Sequence, residues 1–305
     1  MSAARPRWSL PIAVLALLLS WTAARATPAH LAMAGERRAA LGSVLVFGDS
    51  YSVPYWKQVR NWAEQLRAAG KVVVSANHAV SGATASGGGG TGTFAGQLDA
   101  WFRGGARLAD TTIVYFGHND VHRGLDLAKA RAAYAKGIDW LVAAGATQGG
   151  RRLLLALIHD WSRNPGAGPS HRSRVATWNQ GVRAVAKARA NVQLVDLFGR
   201  FQRVFASPGR HGLTDVTTAN PAASASTHLF HDPLHFGEQG QRIVAEAIES
   251  VLRLAGRTPA VGRAGEPAAR PVLTLAAVEP APAWLPAQQL SLPIGATATS
   301  KGPWR

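Results

Sequence analysis

Cysteine is absent from the 305 residues. No disulfide can cross-link this fold, and no thiolate can ligate a metal or attack a substrate. The absence does not settle the compartment, because many exported bacterial domains manage without disulfides. Long hydrophobic runs are missing too. The apolar stretch at residues 10–19 falls well short of the ~20 residues that a membrane-spanning helix needs. Acidic residues are scarce, 17 against 33 basic ones, for a formal charge of +16. Three chemical signatures are also missing. The glycine-rich stretch SGGGGTGT at residues 86–93 lacks the Gly-Lys-Ser/Thr ending of a phosphate-binding loop and is read as a flexible loop. No HExxH zinc pair occurs, and neither does the GxSxG elbow of α/β-hydrolases.

The basic excess suits contact with anionic surfaces such as phospholipid or acidic polysaccharide. Without residues 1–26 and 257–305, the middle of the chain still carries 25 basic and 15 acidic residues. The arginines are scattered, however, and none of the nucleic-acid motif spacings appears, so no nucleic acid is expected as a partner.

At the N-terminus, Arg5 and Arg7 precede the apolar run, and Ala24-Arg25-Ala26 fits the small-x-small cleavage rule. This reads as a secretory signal peptide over residues 1–26, with a second cleavage option after Ala34. The expectation is an exported protein, periplasmic or secreted. Residues 27–41 form a lead-in to the domain. From residue 257 the composition shifts. Eight of the 17 prolines fall within 257–305, and a Pro/Ala-rich, disordered tail is expected there.

With 47% hydrophobic residues, the segment between, 42–256, is long enough for one large core. Apolar, β-branched runs at 43–47, 71–75, 111–116, 152–158 and 191–197 alternate with amphipathic stretches at 55–69, 94–102, 125–144, 173–189 and 238–254. Solidly apolar strands alternating with helices predict a mainly parallel sheet of about five strands in a three-layer α/β/α sandwich. Ligands of such sheets bind outside the carboxyl ends of the strands.

Four polar clusters land at that edge: Gly48-Asp49-Ser50, the stretch 77–85, Gly117-His118-Asn119-Asp120, and His231-Asp232-Pro233-Leu234-His235. A serine hydroxyl attacks only when a base removes its proton, and histidine is the usual base near neutrality. A carboxylate on the far ring nitrogen fixes the histidine tautomer and steadies the imidazolium. Asp232 and His235 stand three residues apart around Pro233, which suits a tight turn with both side chains on one face. Ser50, His235 and Asp232 are therefore the expected catalytic group. Oxyanion donors are sought in the backbone N–H groups of Ser50 and Gly82 and the side-chain amide of Asn119.

GDSYS at 48–52, VSGATA at 80–85, FGHND at 116–120 and DPLH at 232–235, in that order, resemble the GDSL (SGNH) family of serine esterases and lipases. The family is named for Ser, Gly, Asn and His in four blocks, which fall here on Ser50, Gly82, Asn119 and His235, with Asp232 as the acid. The resemblance spans about residues 42–254 and implies a flavodoxin-like α/β/α hydrolase fold. Its wording leans toward the lecithinase/haemolysin-like and acetylesterase-like branches. Two departures sit beside the pocket: Ser52-Val53-Pro54 lacks a second aspartate, and His235-Phe236-Gly237 replaces the family's His-Pro-Thr.

The resemblance and the residues together imply an exported serine ester hydrolase working through an acyl-enzyme, with no cofactor and no metal. Its substrate is a small-molecule, lipid or polysaccharide ester. Alternatives are an acetylesterase on O-acetylated polysaccharide, an acyltransferase, or a non-catalytic carbohydrate- or lipid-binding module on the same scaffold. Asp49 and Asp120 are expected to brace their loops. Tyr51, Tyr55 and Trp161 are candidate contacts for an acyl chain or sugar. His118, His122 and His159 either edge the pocket or are solvated loop histidines. A metal held by His231, Asp232 and His235 would want a helix that Pro233 discourages.

Overall fold

The structure, a computed structural model, describes residues 40–56, 59–87, 90–105, 107–222 and 227–255. The expected signal peptide, most of the lead-in and the proline-rich tail lie outside the described residues. Five parallel strands form the central sheet: β1 (Ser43–Gly48), β4 (Val73–Asn77), β5 (Thr111–Tyr115), β6 (Arg152–Ala156) and β7 (Val192–Val195). Their spatial order is β4-β1-β5-β6-β7. Two very short strands, β2 (Tyr55–Trp56) and β3 (Val59–Arg60), make an antiparallel pair, and β8 (Asp215–Ala219) with β9 (His228–Phe230) makes a third small sheet.

The helices are α1 (Trp62–Ala68), α2 (Phe94–Arg103), α3 (His118–His122), α4 (Leu127–Ala143), α5 (His171–Lys187), α6 (Leu197–Ala206) and α7 (Glu238–Ala255). α2, α4 and α5 pack together, and α1, α6 and α7 form a second group. The five-strand parallel sheet with flanking helices is the expected α/β architecture. Burial explains the apolar strands: Val44 to Phe47, Ile113 to Tyr115 and Leu153 to Ala156 are fully buried. β4 lies on an edge, and Val73 there is exposed.

Capping residues set the boundaries that periodicity left loose. Residues 55–69 do not form one amphipathic helix. Asn61 accepts a hydrogen bond from Glu64 N–H and starts α1 only there. The last strand stops before residue 197 because Asp196 accepts from Gly199 N–H and opens α6, a helix absent from the expected elements.

The chain leaves β1 for β4 on one side and returns past β1 to β5 on the other. That reversal makes the crevice between β1 and β5 the topological switch point. In register, Gly48 of β1 lies opposite Tyr115 of β5. Ser50 and Asn119 follow shortly after those two positions.

Candidate active site

Gly48, itself buried, ends β1, and the turn there is held from three directions. The Gln97 side chain on α2 accepts from Gly48 N–H at 3.1 Å and donates to Gly48 C=O at 2.8 Å. Val80 N–H donates to the same carbonyl, bringing in the loop after β4. Asp49 caps a 3-10 turn, Ser50–Ser52, by accepting from Tyr51 N–H. Ser50 therefore opens that turn on a backbone with little freedom, and it is only 6% exposed.

His235 arrives from the other end of the chain. Its Nε2 lies 2.9 Å from Ser50 Oγ. Its Nδ1 lies 2.9 and 3.1 Å from the two carboxylate oxygens of Asp232. A carboxylate can only accept here, so Nδ1 carries the hydrogen and Nε2 turns its lone pair to the serine hydroxyl. Asp232 Oδ1 also accepts from Leu234 N–H at 2.9 Å and His235 N–H at 2.8 Å. One carboxylate thus both folds the turn and orients the imidazole, which is why the three-residue spacing matters. His231 N–H closes the turn on His235 C=O.

Gly82 adopts φ +77°, a left-handed conformation that side chains rarely tolerate. Asn119 Nδ2 donates to Ala83 C=O at 2.9 Å with one hydrogen, leaving the other on the same amide. The loops after β1, β4 and β5 are thus bound to one another, and the three expected oxyanion donors belong to that cluster. Asn119 sits on α3, which begins after Gly117 at φ +123°. A Cβ on Gly117 would lie 2.1 Å from Trp178 Nε1, so only glycine fits. Asp120 braces the loop as expected, accepting from Ala85 N–H. Burial pushes its carboxyl up to about 6, against the pull of the Ala85 and Ser86 N–H groups.

Sequence reading missed a buried scaffold behind this turn. His118 Nδ1 donates to Asp49 Oδ2 at 2.8 Å, both side chains being almost wholly enclosed. The His118 ring stacks on Tyr51 with centroids 4.0 Å apart. Tyr51 OH donates to Leu234 C=O and accepts from Asn164 Nδ2 at 3.1 Å. Asn164 Nδ2 also donates to Leu234 C=O, so its Oδ1 is left to accept from His159 Nε2 at 2.8 Å. Gly166 N–H donates to Pro233 C=O at 2.8 Å. Burial, then the nearby His118, holds His159 well below the usual histidine range, so it stays neutral. The two carbonyls inside the Asp232–His235 turn are therefore both claimed by partners. No short motif announces these contacts, since each joins distant segments.

Two expectations need correcting. Tyr51 has no exposed surface and Trp161 only 2%. Both pack in the aromatic cluster around His118 and His159, so neither presents a face to substrate. Tyr51 instead serves as a buried hydroxyl, which burial keeps protonated by raising its pKa well above 10. Tyr55 lies on β2, and its side chain is outside the described residues. His118 and His159 are neither pocket-edging nor solvated, whereas His122 is exposed. Among the described residues, no group of three or more His, Asp or Glu side chains is placed to hold a metal ion.

A serine, an imidazole and a carboxylate in hydrogen-bond sequence, at the switch point of a doubly wound sheet, define a hydrolase of the α/β/α sandwich class. The model of the GDSL-like lipase/acylhydrolase family matches residues 46–243, and the chain belongs to that family. It is accordingly a carboxylic ester hydrolase. Among solved structures, it is similar to the acetyl xylan esterase AlAXEase (TM-score 0.50, 17% identity), covering 68% of this chain and 98% of that one. It is also similar to a lipolytic protein of the G-D-S-L family from Veillonella parvula (TM-score 0.48, 18% identity), covering 68% and 97%. At such identity the likeness to AlAXEase shows the fold alone. Among curated proteins none matches the chain.

Proposed function

We propose that the chain is an exported serine esterase acting through an acyl-enzyme, with Ser50 as nucleophile, His235 as base and Asp232 as the orienting acid. The observation that carries this reading is the 2.9 Å approach of His235 Nε2 to Ser50 Oγ, with Asp232 on the opposite ring nitrogen. His235 takes the serine proton as Oγ attacks the ester carbonyl. The backbone N–H groups of Ser50 and Gly82 and the Asn119 amide stabilise the resulting oxyanion. His235 then gives its proton to the departing alkoxide, which leaves as the alcohol. Water attacks the acyl-serine next, losing a proton to His235, and the carboxylic acid departs as Ser50 regains its hydrogen. Protein groups and water complete the cycle.

Export rests on the basic, apolar and small-residue order of positions 1–26. The substrate class is an acyl or O-acetyl ester, with transfer to an alcohol as the variant in which an alcohol replaces water. Hydrolysis of a p-nitrophenyl acyl ester, compared between the wild type and Ser50→Ala, tests the core of the proposal. Loss of turnover, and of labelling by a serine-directed organophosphonate, is expected in the variant. A Ser50→Ala protein that keeps its activity would remove Ser50 from this role, and a wild type that resists the label would favour a binding module.

A further inference from the structure

The oxyanion loop borders a cavity that the ester chemistry does not itself require. Its volume is about 290 Å³, and Ser81, Gly82, Thr84, Gly87, Gly92, Arg123 and Leu125 line it. That is at the small end of the roughly 300–1,000 Å³ found for ligand pockets, large enough for a compact group rather than a long chain. Among the described residues, all that line it but Leu125 are polar or glycine, and none is a carboxylate. Among the described residues that line it, the guanidinium of Arg123 is the one cation.

Arg123 is an exposed arginine that reaches the oxyanion loop. Its Nη2 is 2.9 Å from the point where a Cβ on Gly82 would stand. Gly82 thus gives its missing side chain's space to a guanidinium, while its own N–H is one of the proposed oxyanion donors. Among the described residues, Arg123 makes no ion pair. Its neighbour Asp120 does not serve as a partner, since that carboxyl is buried and turned to Ala85 N–H. Several other exposed arginines are neutralised: Arg60, Arg67, Arg103 and Arg253 each bridge to a carboxylate. An unneutralised fork of donors over a small polar cavity matches the geometry of a planar or tetrahedral oxo-anion.

We propose that the Arg123 cavity is a subsite for an anionic oxo-acid group (carboxylate, sulfate or phosphate) carried by the ester substrate, so that the enzyme selects esters of charged molecules. This rests on the esterase reading and adds the charge of the substrate to it. The anion could belong to the acyl half or to the alcohol half of the ester, and the two placements are separable by experiment.

The test compares kcat/KM for two matched pairs at about 0.15 M ionic strength, where long-range attraction is screened. Mono-4-nitrophenyl adipate against its methyl ester places the charge on the acyl side. 3-Acetoxybenzoate against its methyl ester places it on the alcohol side. In at least one pair the anionic ester should lead by about tenfold, the worth of one charge-assisted contact. Arg123→Gln should collapse that ratio toward unity, Arg123→Lys should keep part of it, and Arg253→Gln on α7 should leave it unaltered. Neutral esters hydrolysed with no charge preference in either pair would overturn the subsite while leaving the esterase standing, as would a preference that survives Arg123→Gln. Hydrolysis of none of the four esters would overturn the esterase reading and the subsite with it.

Discussion

His118 and Asp49 form a buried pair directly behind Ser50, with Nδ1 and Oδ2 2.8 Å apart and Tyr51 stacked on the imidazole. The same carboxylate caps the 3-10 turn on which Ser50 stands. Asp49 therefore ties the turn of Ser50 to the start of α3, which carries Asn119. Truncation to Asp49→Ala strands a buried His118 N–H and removes the cap. Each hydrogen bond to a charged group contributes roughly 1.5–3 kcal/mol, so destabilisation of at least about 3 kcal/mol is expected in denaturant titrations. Asp49→Asn keeps an acceptor for Tyr51 N–H and should lose less. A loss below about 1 kcal/mol for the alanine variant would show that the pair contributes little.

Asp232→Asn keeps a carbonyl oxygen for Leu234 and His235 N–H, so the turn should survive. The amide cannot anchor the Nδ1–H tautomer as a carboxylate does. A kcat loss of the order of 10³–10⁴-fold is expected, with little change in melting temperature. A mild kinetic effect would leave His235 correctly poised without its acid.

Asn119→Ala removes a side-chain donor proposed to act only as charge builds on the carbonyl oxygen. The expected effect is about 10²–10³-fold in kcat with KM nearly unchanged. If KM rose instead while kcat held, Asn119 would be a ground-state contact.

Tyr51→Phe deletes the hydroxyl that donates to Leu234 C=O and accepts from Asn164. Asn164 still serves that carbonyl, so the loss of stability should be modest, about 1–2 kcal/mol. Because Leu234 lies inside the turn carrying His235, the proposed base, kcat should fall by more than KM changes. Unaltered turnover would mean that Asn164 and Gly166 hold the turn unaided.

Asp120 gives a pH signature. Its carboxyl is raised from 3.8 to about 6 in the folded protein, chiefly by burial. Between those values the folded state binds more protons than the unfolded chain, so this group lowers stability as pH rises through the window. The penalty is complete above about pH 6 and absent below about pH 4. Asp120→Asn removes it, so the variant's stability relative to wild type should be better at about pH 7.5 than at about pH 4 by an amount of order 1–3 kcal/mol. A difference that does not vary with pH would show Asp120 ionising normally in the fold.

The alternation of apolar and amphipathic stretches made the parallel sheet legible, because strands buried on both faces have no polar face to show. Gly48-Asp49-Ser50, Gly117-His118-Asn119 and Asp232 to His235 could be read for the same kind of reason. Each is a local arrangement, a turn or a cap, whose residue types are dictated by backbone geometry within a few positions. The carboxylate spacing of Asp232 to His235 is local in this sense: one side chain both closes the turn and faces the ring.

Other features had no local signature. Tyr51 beside Ser50 looked like a substrate contact, and only the packing of residues 118, 159, 161 and 236 around it shows a buried hydroxyl joined to Leu234. Gln97 clamping Gly48, Asn164 reaching Leu234, and Arg123 standing over Gly82 each join segments far apart in the chain, 49 residues in the first case and 70 in the second. A chain's periodicity records which face of an element meets the core. Which buried amide or hydroxyl finds which orphan carbonyl is decided when distant segments close on one another, since any of several polar residues could satisfy it until packing selects one.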